Sequence, residues 1–566
     1  TGGIGIVLAG HPYHLDPEVH HGIPELISGY EVAVLTEDSV CHRADDVGGV
    51  GELYVVDQWA YHSRLYRAAT ATAIHPEFKN IQMVQLNSFG CGLDAISADQ
   101  TAAILERRGK LHTLIKIDEG KNNGAVRIRI RSLLASVRMK GERKKDETAP
   151  ASDDRSEDTA RLPKAARRVQ TKARTILCPP LSPHHFQFLE TAMRHAGFDF
   201  RVLPEGNRSA VELGLQYVNN DACYPAMVVI GQFIQALRSG DYDPDTTDCL
   251  YAQTGGACRA SNYVPLLRRA LDAAGFEDVR VLAVNAQGNV GAERFSIPAP
   301  VVWRSVIGML YGDALMRLLY RTRPYEAAPG SADALYGEWV RRCKENVTRG
   351  SWRAFKRDVA GMVRDFSDLA IDPSPKPRVG IVGEILVKYH ANANERLVDV
   401  IEAEGGEAVV PDLANFMLYC FHDSIYCHNR LSGGLLPCIV GHAGIEAIEY
   451  MRRPMLDALR GTRFGEIHGI HRMADSAETM VSCANQAGEG WLLAGEMMTL
   501  IEGGVRNVIC VQPFACLPNH ITGKGVMKEL KRRYKGVNIL ALDYDASVSN
   551  VNQLNRIKLL MATAKA

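Results

Sequence analysis

An apolar run ends at a proline-containing turn in NVICVQPFACLPNHITGKG, residues 507–525. The run from Val508 to Val511 is short and β-branched, as expected of a strand buried in a parallel sheet. One cysteine, Cys510, lies inside this apolar run, and a second, Cys516, lies beyond Pro513. This stretch alone leaves three interpretations of the thiols open: buried side chains, a disulfide, or metal ligands.

Runs of the same kind recur along the chain and alternate with amphipathic segments such as DQWAYHSRLYRAATA, residues 57–71. This alternation predicts β-α-β units, and therefore an α/β fold of three Rossmann-like parallel-sheet lobes with helical connections. The predicted boundaries are 1–140 for lobe 1, 141–171 for a charged linker or exposed excursion, 172–325 for lobe 2, 326–375 for a helical connection and 376–566 for lobe 3. The strand-like runs are residues 3–10, 31–38, 81–90, 111–118, 174–180, 198–206, 247–263, 279–288, 376–387, 406–413, 507–518 and 537–545.

Composition excludes several classes of protein. Lys+Arg and Asp+Glu both number 65, so charge gives no reason to expect binding to nucleic acid or to an anionic membrane surface. No apolar run reaches the ~18–20 residues of a membrane span, and the N-terminus lacks the features of a signal peptide. These features predict a cytoplasmic protein. The sequence begins at Thr1, directly in a strand-like run, and we therefore expect it to be a piece of a longer polypeptide.

The cysteines are the strongest chemical signal. Thirteen of them, without a secretory signal, argue against a disulfide framework. Six stand where a predicted strand ends or a helix begins, each close to glycine or proline. Glycine lets the backbone approach a bulky group with its N–H free, and proline stops the strand. The six candidate ligands are Cys91, Cys178, Cys223, Cys258, Cys510 and Cys516, with Gly90, Gly92, Gly256, Pro225 and Pro513 as supporting residues.

Other interpretations of the thiols stay open. A free cysteine often packs as a small hydrophobic residue, and Cys178 and Cys510 each adjoin an apolar strand. Structural zinc sites use paired C-x₂₋₄-C spacings, which are absent, so an iron–sulfur cluster would have to be assembled from distant segments, between lobes. The segment 427–442 carries Cys427, His428, Cys438 and His442, but its apolar surroundings favour a core thiol. We assign Cys41, Cys249, Cys343, Cys420 and Cys483 to core or helix positions.

Polar loops follow the first strands of two lobes. AGHPYHLDPEVHHGI, residues 9–23, offers acid–base or substrate-binding groups, although a solvated, proline-fixed loop explains it equally well. GEILVKYHANANERL, residues 383–397, lies in the corresponding place in lobe 3. From these loops we select His14, Glu384 and His390 as candidate catalytic residues. No G-x-x-x-x-G-K-[ST] motif occurs, so this segment is not expected to bind ATP itself.

These motifs together resemble a known family. AGHPYHLDPEVHHGI, QLNSFGCGLDAI, YVNNDACYP, QTGGACRASNY, RVGIVGEILVKYHANAN and QPFACLPNHITGKGVMKELKRRY are similar to the C-terminal, dehydratase-like part of large acyl-CoA dehydratase activase-related proteins. That part is kin to the 2-hydroxyacyl-CoA dehydratases and to the double-cubane cluster proteins.

The resemblance implies a reductase of low potential. It implies three lobes around a cysteine-bound iron–sulfur cluster, a double-cubane [8Fe–9S] or a [4Fe–4S], and six cysteines match the double-cubane count. It also implies a partner activase, as N-terminal modules of the same polypeptide, that carries its own [4Fe–4S] cluster and hydrolyses ATP to deliver single electrons. A homo-oligomer is implied as well. The favoured function is ATP-dependent electron transfer to a small substrate. The alternatives are a radical 2-hydroxyacyl-CoA dehydratase and a non-catalytic α/β scaffold with core thiols.

Overall fold

Three parallel sheets organise the chain, and the first four strands of each have the order 2-1-3-4. The structure is a computed structural model, which describes residues 3–51, 53–88, 92–117, 123–146, 174–253, 258–284, 293–465, 467–546 and 550–565. The chain divides into two units: unit 1 is Thr1–Arg167 with Asn219–Ala222 and Gly288–Ala292, and unit 2 is Arg168–Val218, Cys223–Gln287 and Glu293–Ala566. The predicted α/β fold with Rossmann-like sheets is confirmed.

Unit 1 contains one four-stranded sheet with helices on both faces. Alternate residues of its first strand enter different cores: Ile6 and Leu8 pack on one face, and Val7 and Ala9 on the other. The strands are β1 Gly5–Ala9, β2 Ala33–Thr36, β3 Ile81–Ser88 and β4 His112–Ile117. The helices are α1 Pro17–His20, α2 Ile23–Ser28, α3 Glu37–Val40, α4 Ala60–Ile74, α5 Asp94–Glu106 and α6 Asn123–Asp146.

Unit 2 contains the other two sheets. The second sheet comprises β5 Thr175–Cys178, β6 Asp199–Val202, β7 Thr247–Tyr251, β8 Arg280–Ala283 and β9 Glu293–Arg294, in the order β6-β5-β7-β8-β9. The third comprises β10 Arg378–Gly383, β11 Glu407–Val409, β12 Asn507–Pro513 and β13 Asn538–Tyr544, in the order β11-β10-β12-β13. Every strand pair is parallel; in the third sheet, Ile381 lies beside Ile509, and Ile509 beside Leu540.

The helices of unit 2 cover these sheets and form a shared core. Tyr311, Phe355 and Met455, which lie on three different helices, belong to one buried cluster. The helices are α7 Pro183–His195, α8 Arg208–Tyr217, α9 Tyr224–Arg238, α10 Tyr263–Ala273, α11 Ala299–Tyr320, α12 Ser331–Arg349, α13 Trp352–Ser367, α14 Ile385–Tyr389, α15 Leu397–Ala403, α16 Ala414–Arg430, α17 Leu435–Leu459, α18 Ile470–Glu478, α19 Leu492–Glu502, α20 Met527–Arg533 and α21 Asn550–Lys565.

Short 3₁₀ and π segments complete the secondary structure. The 3₁₀ segments are Pro12–Leu15, Cys41–Val47, Pro76–Phe78, Pro244–Thr246, Arg259–Asn262, Arg323–Tyr325 and Lys524–Val526, and the π segment is Asn519–Gly523. Among the helices that the structure describes, none combines the length and apolarity needed to cross a bilayer. The predicted linker, 141–171, includes the end of α6, and its residues 147–171 lie outside the described residues.

Candidate functional site

Three of the predicted ligand thiols, those of Cys223, Cys258 and Cys516, lie close together in unit 2. Burial raises the pKa of Cys258 to about 12, and negative charge on Cys223 adds to this shift. Burial likewise raises the pKa of Cys516, followed by the effect of charge on Cys258. These charge effects link Cys223 to Cys258 and Cys258 to Cys516, and we call the three residues the thiol cluster.

Each thiol of the cluster stands immediately before a helical turn. Cys223 occupies the N-cap position of α9, and Cys258 occupies that of the 3₁₀ segment Arg259–Asn262. Cys516 directly precedes helical residues that begin at Leu517. The first N–H groups of a helix lack partners within the helix and favour negative charge. The nearby backbone N–H groups of Ala226, Ala260 and Asn519 lower the pKa of Cys223, Cys258 and Cys516 respectively, and so oppose the effect of burial.

Strand order explains why two of these loops meet. Cys258 follows β7 and Cys516 follows β12, and each of these is the third strand of its sheet in chain order. Loops at the carboxyl ends of the central strands of open α/β sheets form the usual ligand site. Cys91 follows the third strand of unit 1 in the same way, but Cys91, Gly90 and Gly256 lie outside the described residues, whereas Gly92 lies in the turn before α5.

Arg259 joins the Cys258 loop to the Cys516 loop. Its guanidinium Nη2 donates to the backbone oxygen of Ala515 at 2.6 Å, and the side chain is buried. Burial raises the pKa of all three thiols, and the positive charge of Arg259 opposes that effect at each of them. Arg259 therefore both fixes the loops and favours negative charge on the thiol cluster.

Tyr263 contacts the remaining thiol of the cluster, that of Cys223. Its hydroxyl lies 2.7 Å from the Cys223 sulfur, and its ring stacks on Tyr251 at a centroid distance of 5.3 Å. Pro225 lies in the first turn of α9, where its missing N–H costs no helical hydrogen bond. The Cys223 side chain is thus held by an aromatic pair and a helix start.

Two carboxyl groups lie beside the thiol cluster. Glu489 accepts a hydrogen bond from the Ile385 N–H at 2.9 Å, and Glu384 caps α14 by accepting from the Val387 N–H at 2.8 Å. Burial raises the pKa of Glu384 to about 8, and the neighbouring Glu489 adds to the shift. Burial raises the pKa of Glu489 as well. Two buried carboxyl groups in one place disfavour a second negative charge, so this pair can hold a proton next to the thiols.

Two glycines permit close backbone approaches at this site. Gly383 has φ of 145°, and a Cβ there would lie 1.8 Å from the carbonyl oxygen of Val511. Gly488 has φ of 62°, and a Cβ there would lie 3.9 Å from the sulfur of Cys258 and 3.5 Å from Cγ of Pro518. The first glycine is required where the chain leaves β10 towards Glu384. The second is favoured by its left-handed backbone conformation, since a Cβ there would make only ordinary contacts.

The remaining predicted residues of the third sheet support the fold around the site. His390 accepts a hydrogen bond from the Ala393 N–H through Nδ1, its Nε2 lies 3.4 Å from Gln232 Nε2 on α9, and burial lowers its pKa to about 4. Pro513 ends β12 and accepts from the Cys516 N–H at 3.2 Å. Of the predicted catalytic residues in unit 2, the structure places Glu384 beside the thiols and His390 between α14 and α9.

Cys178 and Cys510 lie in hydrophobic cores. Cys178, the last residue of β5, packs with Ile176 and Phe200, and its thiol donates to the Pro179 carbonyl. Cys510, inside β12, packs with Val382 and Met497. Burial raises the pKa of each thiol to about 12.

His14 lies in unit 1, in the 3₁₀ segment Pro12–Leu15, and both of its ring nitrogens are engaged. Nδ1 accepts from the His11 N–H at 2.9 Å, and Nε2 lies 2.8 Å from the Ser88 hydroxyl. Burial lowers the pKa of His14 to about 4. A Cβ at Gly10 would lie 2.4 Å from His14 Nδ1, so glycine is needed where this loop leaves β1.

The weaker metal-like segment of α16 and α17 is held by ordinary hydrogen bonds. The Cys427 thiol donates to Gln486 Oε1 at 2.9 Å, and His428 Nδ1 lies 3.0 Å from the Gly433 carbonyl oxygen. Cys438 is buried in the large core of unit 2, as its apolar neighbours predict.

The comparison with protein families concerns the N-terminal segment. Residues 1–40 match the family model described as the CoA enzyme activase uncharacterised domain. This segment is therefore similar to an activase-related domain. It contains β1, β2 and the loop with His11 and His14, but none of the cysteines. No curated protein matches the chain.

Some residues of the site had no signal in the sequence. In the sequence, Arg259 is merely adjacent to Cys258, and Glu489 lies shortly before the start of α19. Their roles depend on contacts across 256 and 104 residues, to Ala515 and Ile385 respectively. Adjacency to a predicted ligand was the one local feature that could have pointed to Arg259.

Proposed function

We propose that this chain is the cluster-bearing reductase component of an ATP-dependent electron-transfer system. In this proposal the thiol cluster, Cys223, Cys258 and Cys516, binds an iron–sulfur cluster and passes single electrons to a small substrate. The observation that carries the proposal is the gathering of three thiols from three separate loops around the buried Arg259, whose positive charge lowers the pKa of each of them.

The donor set fits such a group. Iron–sulfur clusters are held by thiolates, and the hydrogen bonds to sulfur and the burial of the site set their potential. The backbone at Gly488 passes close to the Cys258 sulfur, and Arg259 supplies positive charge that favours thiolate over thiol. A bound cluster would supply reversible one-electron transfer, while the protein excludes water and keeps the Glu384–Glu489 pair ready to hold a proton.

The activase relationship of residues 1–40 supports the proposed electron source. A partner activase with its own [4Fe–4S] cluster would hydrolyse ATP and reduce this chain, either as modules of the same polypeptide or as a separate protein. ATP is needed because a buried cluster with little charge compensation has a very negative potential. A homo-oligomer is the proposed assembly, and a double-cubane [8Fe–9S] group would require Cys91, Cys178 and Cys510 as further ligands.

The test is metal analysis of anaerobically purified protein. Iron and acid-labile sulfide are measured in the wild type, in Cys258→Ser and in the control Cys343→Ser, whose thiol is buried in α12. We expect iron in the wild type and the control, and its loss in Cys258→Ser. An iron-free wild type, or equal iron in all three proteins, would remove the proposal in favour of a scaffold with core thiols.

A second measurement separates the two kinds of enzyme. The iron-loaded protein is mixed with activase, ATP and reductant, and cluster reduction is followed by electron paramagnetic resonance. Reduction that requires ATP and proceeds without a thioester supports the proposed reductase. Turnover only with 2-hydroxyacyl-CoA would assign the chain to the radical dehydratases instead.

A further inference from the structure

A second group of metal-binding side chains lies in unit 1. His11 Nε2 is 2.8 Å from Asp94 Oδ1, and His62 Nε2 is 3.7 Å from the same oxygen. One ligand atom from each of the three residues lies within 4.8 Å of the other two. All three side chains are buried; Asp94 is 1% exposed and His62 is 2% exposed.

Much of the hydrogen-bonding capacity of this group is unused. Neither ring nitrogen of His62 has a hydrogen-bond partner among the described residues, and the same holds for Asp94 Oδ2. Buried polar atoms without partners cost about 1–3 kcal/mol each, so they call for an explanation such as an ion at the site. The His62 imidazole and the free carboxylate oxygen of Asp94 are the atoms that an ion would satisfy.

The fold brings the three residues together at a position suited to a ligand. His11 follows β1 and Asp94 begins α5 after β3, and these two strands are neighbours in the sheet. The crevice between the carboxyl ends of two such strands, where the strand order reverses, is the usual binding position in open α/β sheets. His62 reaches it from the first turn of α4.

Surrounding residues fix the orientation of the ligands. His14 accepts from the His11 backbone N–H, and the Ser97 hydroxyl donates to Asp94 Oδ1 at 3.4 Å. The His11 ring stacks on Tyr13 at 5.2 Å, and the Trp59 ring packs at 5.0 Å from the His62 ring. Hydrogen bonds to ligating groups and an aromatic cover are the outer contacts that orient metal ligands.

We propose that His11, His62 and Asp94 bind a divalent transition-metal ion, with zinc as the occupant. Zinc binds imidazole nitrogen and carboxylate oxygen at about 2.0–2.2 Å, which places ligand atoms ~3.3 Å apart on a tetrahedron. The two measured separations, 2.8 and 3.7 Å, lie on either side of that value. Magnesium and calcium prefer oxygen ligands, so two imidazoles disfavour them.

Three protein ligands leave one tetrahedral position for water or substrate. That is the ligand number of catalytic rather than structural zinc sites. The expected role is therefore to bind a small molecule with an oxygen or carbonyl group in unit 1. The proposal does not depend on iron in unit 2, because none of its ligands is a cysteine.

The test is metal titration of the full chain. Metal-free protein is titrated with cobalt(II), a spectroscopic substitute for zinc, in the wild type, in His62→Gln and in Asp94→Asn. The matched control is His185→Gln, which alters a buried His–Asp pair whose ring nitrogens are both engaged, by Ser182 and Asp313. We expect visible ligand-field bands at one molar equivalent in the wild type and the control, and affinity lowered about 100-fold or more in the two ligand variants.

The spectrum also distinguishes this site from the thiol cluster. Thiolate ligands add an intense ultraviolet charge-transfer band, whereas the proposed nitrogen and oxygen ligands do not. X-ray absorption at the zinc edge of wild-type protein is a second measurement, independent of whether a variant folds. An imidazole-containing shell without sulfur supports the proposal; a sulfur shell, or undiminished cobalt binding by a folded His62→Gln, overturns it.

Discussion

At the scale of single residues, Cys510 and Cys516 test how a thiol is assigned. They stand six positions apart, yet one lies in the core beside Met497 and the other in a loop with Cys258. We expect Cys516→Ala to lose iron and Cys510→Ala to retain it, with iron per chain measured under anaerobic conditions. Loss of iron in Cys510→Ala, with the fold intact by circular dichroism, would return Cys510 to the ligand set.

Lys388 is a second residue whose role is measurable. Its ammonium lies 3.0 Å from both carboxylate oxygens of Glu496, and both side chains are buried. Lys388→Met leaves a buried carboxylate without its partner, and we expect the free energy of unfolding to fall by about 3–5 kcal/mol in urea denaturation. The exposed Lys531→Met on α20 serves as the control, for which the change should stay within ~0.5 kcal/mol. A similar small change for Lys388→Met would contradict the assigned role of this pair.

The sequence was informative about residues only where chemistry is local. The turn in YVNNDACYPAM predicts that Cys223 stands at the entry to a helix, and Cys223 is the N-cap residue of α9. The partnership of His62 with Asp94 had no such signal, because the residues are 32 positions apart and meet only when α4 packs on the sheet. Groups of side chains that meet only through tertiary contacts show no motif of fixed spacing in the sequence. The same reason explains why the position of Glu489 was not predicted.

At the scale of elements, α16 and α19 meet through a buried carboxyl group. Asp423 on α16 accepts from the indole N–H of Trp491 at 2.8 Å. Burial raises its pKa to about 8 even though hydrogen bonds from Trp491 and Tyr419 act in the opposite direction. A carboxyl whose pKa is higher in the folded than in the unfolded state stays protonated in the fold while the unfolded chain ionises. Its contribution to stability therefore decreases as pH rises from about 4 to about 8.

This decrease in stability with rising pH gives a prediction for Asp423→Asn. Asparagine keeps the acceptor for Trp491 but has no proton to lose, so the variant should gain stability relative to the wild type as pH rises. We expect the difference in unfolding free energy to shift by about 2 kcal/mol in favour of the variant between about pH 5 and pH 7. Guanidinium denaturation at several pH values measures it. A difference that is constant with pH would show that Asp423 is ionised in the fold.

The elements themselves were the most predictable level. Every strand-like run quoted from the sequence contains a strand of the structure, because β-branched runs of four to eight residues bounded by turns have few other uses. The two-residue β9 was missed, since a pair of residues carries no periodicity. Strand order was not legible either: it depends on which helices cover which face of a sheet, and that is decided by packing.

At the scale of the whole molecule, the two proposed sites belong to different units with different cores. Ile6 and Val84 pack in unit 1, whereas the large cluster around Tyr311 belongs to unit 2. Zinc should therefore slow amide hydrogen exchange in unit 1, in the loop after β1 and in the first turns of α4 and α5. A bound ion stabilises only the states that contain its site.

Hydrogen exchange with mass spectrometry checks this prediction, with zinc added to metal-free protein. The peptide covering the loop between β12 and α20 is the internal control and should not change. Protection confined to that control peptide would show that zinc binds the thiols, and it would contradict the proposed site in unit 1.

The bond from Arg259 to the Ala515 carbonyl has a consequence for the maturation of the protein. Small metal domains commonly fold only when their metal arrives, because nothing else holds the ligands together. Here a guanidinium and the Tyr263 hydroxyl hold the ligand loops through contacts within the polypeptide. We therefore expect the chain to fold when it is produced in air, so that the proposed cluster can be inserted afterwards under anaerobic conditions.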